Sequence, residues 1–211
     1  MQFSKYIFNI YNIYYSVHMK DIDIKHAADL IKVEPVVIKA VLEVETGNKG
    51  GFIKDTNKPI ILFEGHIFWR QLKLRNIDPL KYVNTSIYSD ILYPKWTKQY
   101  YKGGIKEWDR LNRAICINKE AALESASWGL AQIMGFNYKM CDCKDVNEFV
   151  SKMEESEGSQ LELFIRFIRN NRMDSYLRNK DWKGFARHYN GPCYAQNKYD
   201  IKLEKAYNRY K

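Results

Sequence analysis

A chain of 211 residues with 45% hydrophobic residues can bury one sizeable core, is too short to need two domains, and shows no disordered or low-complexity tract. Its net charge of +9 favours an anionic partner, but the basic residues are scattered and no recognition motif accompanies them, so nucleic acid is not the expected one. Cys116, Cys141, Cys143 and Cys193 form no C-x-x-C pair, which argues against structural zinc and for free thiols.

Residues 1–20 stand apart as an N-terminal extension. The run Tyr6 to Val17 after Lys5 has the outline of a weak export signal, yet Asn9 and Asn12 interrupt it and no small-residue cleavage site follows. An artefactual extension ahead of Met19 and an ordinary amphipathic helix are equally available readings. The globular pattern, residues 21–211, begins with a short helix carrying Ala27, Ala28, Leu30 and Ile31, with Asp21 or Asp23 as its cap. Pro35 suits the first turn of a second helix that ends near Thr46, with Gly47 as its stop.

Residues 48–58 read as a turn region and lead into the apolar run Pro59-Ile60-Ile61-Leu62-Phe63, a strand or buried extended segment. Residues 64–74 are helical in pattern, and Asp78-Pro79 and Tyr93-Pro94 mark a loop. Four or five further helices are predicted over 97–210, one of them the apolar piece from Trp128 to Met134. Glu154, Glu155 and Glu157 are read as opening a long helix. The last helix, Tyr199 to Tyr210, has Leu203, Ala206 and Tyr207 on one side and Lys202, Lys205 and Arg209 on others. The expected fold is one mainly α unit with a small extended or β element near residues 48–64.

On the second helix, Val37, Ile38, Val41 and Val44 define an apolar arc at about 100° per residue, and Glu45 falls inside it. Glu43 projects elsewhere, four residues after Lys39, where an ion pair is available. Desolvation disfavours the charged form of a carboxyl on an apolar face, and the negative end of the helix dipole acts in the same sense. Glu45 is thus suited to hold a proton near neutral pH. The commoner alternative is a structural carboxylate satisfied by an arginine or a backbone donor.

Glu45-Thr46-Gly47, Gly129-Leu130-Ala131-Gln132-Ile133 and Tyr189-Asn190-Gly191 follow one another in the order of the signatures of goose-type lysozymes and soluble lytic transglycosylases, which they resemble. More specifically, the chain resembles the N-acetylmuramidase domain of phage endolysins. The stretches that carry this are Pro59 to Phe68, Ala121 to Asn137, Glu157-Gly158-Ser159-Gln160-Leu161 and Phe185 to Pro192. Each motif is weak alone; the ordered set spans about residues 21 to 210. Thr46, Gly65 and Cys193 stand where such enzymes often carry Ser, Arg and a small residue. No accompanying peptidoglycan-binding module is expected.

The resemblance implies a lysozyme-like fold and a muramidase that cleaves the β-1,4 bond between N-acetylmuramic acid and N-acetylglucosamine with Glu45 as general acid. Ser127, Gln132, Tyr189 and Asn190 would bind substrate. The second carboxylate is open between Glu64 and Asp55, with Glu64 preferred; failing both, the substrate's own acetamido or 6-hydroxyl group would serve, a route that would give a lytic transglycosylase with anhydro products. A non-catalytic wall-binding protein, and a membrane-disrupting one working through the basic last helix, are the rival readings. His188 and Cys193 match no thiol-nucleophile motif. Trp69, Trp96, Trp108 and Trp182 offer rings for sugar stacking, with core packing the default for each. No cofactor or metal is expected. The partners are peptidoglycan and the anionic envelope, met by a monomer made in the cytoplasm and released when the membrane is permeabilised, or through the N-terminal signal.

Overall fold

The computed structural model describes residues 18–83 and 87–211, apart from the side chain of Cys193. The readings of the N-terminal extension as an export signal, an artefact or a helix therefore fall largely outside the described residues. Among these, no helix is long and apolar enough to cross a membrane.

Among the described residues, eleven α-helices surround a small sheet: α1 (Asp21–Ile31), α2 (Pro35–Thr46), α3 (Gly65–Leu74), α4 (Leu80–Val83), α5 (Ile105–Ile115), α6 (Lys119–Glu124), α7 (Val146–Glu155), α8 (Glu157–Asn170), α9 (Asp174–Arg178), α10 (Trp182–Asn190) and α11 (Tyr199–Tyr210). Two 3-10 segments, Gly135–Cys141 and Pro192–Asn197, join them. The mainly α expectation holds. One contiguous core, from Ala27 on α1 to Tyr207 on α11, gathers residues from most of these elements.

Pro35 opens α2 and Gly47 closes it in the left-handed region, its N–H reaching the Glu43 carbonyl, as the sequence pattern implied. The cap of α1 differs slightly: Lys20 is the N-cap, and Asp23 accepts its backbone N–H at 2.8 Å. Glu154 and Glu155 end α7 instead of opening a helix. Ser156 turns extended between them and α8, where its hydroxyl caps Ser159 N, so Glu157 alone starts the second helix.

The main correction concerns residues 126–134. They form a β-hairpin, not a helix: β2 (Ala126–Trp128) and β3 (Ile133–Met134) pair antiparallel and β2 pairs with β1 (Ile61–Phe63). The run is apolar enough for either structure. Gly129 at φ +66° and Gln132 at φ +49° set the turn, and β1 supplies the partner that a helix would leave unpaired. Seven α-helices, α5 to α11, lie within 97–210 among the described residues, where four or five were expected.

The register sorts the sheet into two faces. Ile61, Phe63, Ala126, Trp128 and Ile133 point into the core. Leu62, Ser127 and Met134 are mutual partners on the opposite face, and Glu64 follows Leu62 by two residues at its edge.

Candidate active site

Glu45 lies in the last turn of α2, half-buried. Its Oε1 accepts a hydrogen bond from Asn190 Nδ2 at 3.1 Å, at the end of α10. Burial is the dominant influence on this carboxyl and pushes its pKa from 4.5 up to about 7, against the opposing effects of Asn190 and of the Lys202 charge on α11. No arginine or backbone donor satisfies it among the described hydrogen bonds, so the structural alternative lacks its expected partner. Glu43 is the ordinary surface charge. It pairs with Arg209 on α11, while Lys39 turns 3.7 Å from Asp21, so the expected Lys39–Glu43 pair does not form.

Asn190 and Tyr189 both sit beside Glu45, but they differ in kind. The Tyr189 ring stacks on Phe185 with centroids 5.7 Å apart and meets Phe164 edge-on at 5.6 Å. Burial first, then the Glu45 charge, raises its hydroxyl pKa. Tyr189 is therefore part of the apolar wall that desolvates Glu45, whereas Asn190 offers the polar contact.

Ser127 and Gln132 also meet, at the hairpin. Ser127 is almost fully buried and donates to Gln132 Oε1 at 2.9 Å. Gln132 is exposed, and its Nε2 donates to Gly129 O at 2.7 Å and Ile60 O at 3.2 Å. Both amide protons are thereby used, leaving one acceptor lone pair for a ligand. The helix cap and the buried core amide considered for these residues do not occur. They lock a turn.

Glu64 belongs to a separate cluster. Tyr101 donates its hydroxyl across both carboxylate oxygens, at 2.7 and 2.8 Å, and His66 Nδ1 lies 3.3 Å from Oε2. Among the described residues no hydrogen bond or ion pair joins Glu64 to Glu45, and no carboxylate is among the charges acting on Glu45. Asp55 is exposed, in a turn at φ +59°. No metal-holding group of His, Cys, Asp or Glu occurs among the described residues.

Four further polar residues organise the region, and sequence reasoning did not assign them these roles. Glu107 and Arg110 on α5 form a fully buried ion pair at 2.7 Å. Glu107 accepts from Phe63 N, Lys102 N and Gly103 N; Arg110 donates to Phe63 O and Asp90 O. On α8, Glu157 accepts Gly51 N at 2.8 Å, and Gln160 accepts Leu130 N at 2.9 Å while its amide donates to Met153 O at 2.8 Å. α8 thus ties the turn after α2 to the hairpin turn. The i, i+3 spacing of both pairs was a visible signal, but it also describes solvated helix faces.

A cavity of about 400 Å³ is lined by Leu42, Thr46, Gly51, Leu130 and Glu157 among others, and by neither Glu45 nor Asn190. It lies beside the C-terminal turn of α2, between the elements that α8 ties together.

Residues 34–211 match the N-acetylmuramidase family model. The fold is similar to the crystal structure of the Burkholderia AP3 phage endolysin, with a TM-score of 0.82 and 41% sequence identity over 92% of this chain and 71% of that one. No curated protein matches the sequence. The mainly helical architecture with its small three-stranded antiparallel sheet is thus that of a lysozyme-like endolysin.

Proposed function

The chain belongs to the N-acetylmuramidase family and is a glycoside hydrolase that degrades bacterial peptidoglycan; from that premise we propose that Glu45 is its general acid. The observation that carries this is a carboxyl in the last turn of α2 with a pKa of about 7, raised by burial and touched by one neutral donor, Asn190. At neutral pH a large fraction of Glu45 carries its proton, which is what cleavage of a glycosidic bond requires of its acid.

The glycan strand lies past the hairpin edge near Leu62 and Gln132, and Glu45 protonates the oxygen between N-acetylmuramic acid and N-acetylglucosamine as oxocarbenium character develops. Asn190 holds the carboxyl in place. Among the described residues no carboxylate acts on Glu45, and the substrate's acetamido group takes the part of the second carboxylate. The net charge of +9 supports retention on the anionic wall. The working form is a monomer, made in the cytoplasm and released when the membrane is permeabilised.

Digestion of purified sacculi followed by mass spectrometry tests this reading. Glu45→Gln should release no soluble muropeptides while retaining the wild-type fold; normal digestion by the variant would refute the assignment. Reducing muramic ends are expected from the wild type, and 1,6-anhydro ends would convert the mechanism to intramolecular capture by the 6-hydroxyl.

A further inference from the structure

The buried ion pair on α5 organises a cluster that the bond-breaking step at Glu45 does not use. Two fully buried charges carry a large desolvation cost, and such pairs are poor sources of net stability. Here the pair holds three segments together. Glu107 grips the backbone at Lys102 and Gly103, next to Tyr101, and Arg110 grips Asp90 O at 2.7 Å; both hold Phe63, next to Glu64. Arg110 also reaches the Tyr93 hydroxyl at 3.4 Å, and Tyr93 stacks with His66 at 6.5 Å and meets Tyr100 at a tilt, with centroids 4.9 Å apart. The backbone of Gly65 sits so close that an added Cβ would fall 2.4 Å from the Tyr93 ring.

Three properties of this cluster bear on a ligand. Trp96 is the one exposed tryptophan among the described residues, 59% accessible, with Lys98 Nζ 5.8 Å from its ring centroid; Trp69 is partly buried, and Trp108, Trp128 and Trp182 are buried. Trp96 is among the side chains that act on the Tyr101 hydroxyl, the group that spans Glu64. His66 Nδ1 is buried and, although 3.3 Å from Glu64 Oε2, has no aligned hydrogen-bond partner. Glu64 also follows Leu62 by two residues, at the edge of the sheet face that carries Leu62 and Ser127, past which the glycan strand is proposed to lie.

We propose that Trp96, Glu64, His66 and Tyr101 form a distal sugar subsite, in which the Trp96 ring receives the apolar face of a glycan residue remote from the cleaved bond while Glu64 and His66 bond its hydroxyl and acetamido groups. A pyranose ring presents C–H groups on a face and hydroxyls at its edge, which is the complement of an exposed aromatic beside a fixed carboxylate. Glu64 is then a binding residue and not the second catalytic carboxylate. The proposal rests on the muramidase reading, but the two fail separately.

The test uses the full chain. In a Glu45→Gln background, which does not consume the ligand, calorimetric titration with soluble, uncrosslinked glycan strands should show affinity falling about tenfold on Trp96→Ala and largely restored by Trp96→Tyr. In the active enzyme the same Trp96→Ala change should raise KM by a similar factor with kcat kept. Glu64→Gln should likewise raise KM and leave the pH profile of kcat in place. Unchanged binding and KM in Trp96→Ala would overturn the subsite, as would loss of kcat at constant KM. Strands stripped of their stem peptides should respond to Trp96→Ala as intact ones do; a response confined to stem-bearing strands would assign the cluster to peptide and refute the sugar assignment. Full activity of Glu45→Gln would instead sink the catalytic reading and leave the binding result standing.

Discussion

Replacing Glu45 by glutamine should stabilise the protein while abolishing its activity, and the size of the gain should depend on pH in a calculable way. The folded-state pKa of about 7 lies above the value of 4.5 for a free glutamate. A carboxyl raised in this way favours the folded state fully below pH 4.5 and loses that contribution as pH rises towards 7, because the unfolded chain ionises first. The ionisation penalty is about 1 kcal/mol near pH 5 and approaches about 3 kcal/mol near pH 8. Glutamine keeps the amide oxygen that accepts from Asn190 and never ionises. Urea denaturation of wild type and variant at about pH 5 and about pH 8 should therefore give a stability difference that shifts by about 2 kcal/mol in favour of the variant at the higher pH. Subtracting the two proteins at each pH cancels the other titrating groups. In parallel, kcat of the wild type should fall roughly tenfold per pH unit above about 7, and the variant should lose a factor of about 10² to 10⁴. A stability difference that is the same at both pH values would refute the argument that burial holds the proton on Glu45.

Asn190→Ala removes the hydrogen bond that favours the charged form of Glu45. The alkaline limb of its pH–rate profile should move upward while kcat drops, as read from initial rates on solubilised peptidoglycan. Arg110→Met leaves Glu107 buried without its counter-charge and should cost about 3 to 5 kcal/mol in urea denaturation, part of it recovered in the Glu107→Gln/Arg110→Met double variant. Gly51→Ala would set a Cβ 1.9 Å from Gln160 Oε1, itself held inside α8's contacts. It should lower the denaturation midpoint by about 1 to 3 kcal/mol in free energy with the slope unchanged.

Much of the helical framework could be read from local chemistry. Pro35 and Gly47 bound α2 through backbone geometry that each residue dictates alone, and the valine arc places Glu45 on the buried side whatever packs against it. The apolar run at 126–134 could not be resolved in this way. Its residues suit helix or strand alike, and the choice rests on pairing with β1, more than sixty positions earlier in the chain. Polar residues with two plausible fates were equally illegible. Ser127 and Gln132 turn towards each other only once the hairpin exists, and the Glu107–Arg110 pair looks like any helix-surface charge pair until α5 packs against β1.

The linear chain therefore determined where α2 starts and stops, that an acid lies among its valines, and, through its ordered motifs, the family. Tertiary structure decided the environment of each carboxylate. Burial beside Asn190 raises Glu45, whereas the Tyr101 hydroxyl holds Glu64 in a separate cluster beside the His66 ring. Proton affinity depends on the dielectric and donors within a few ångströms, and those neighbours come from helices far away in sequence.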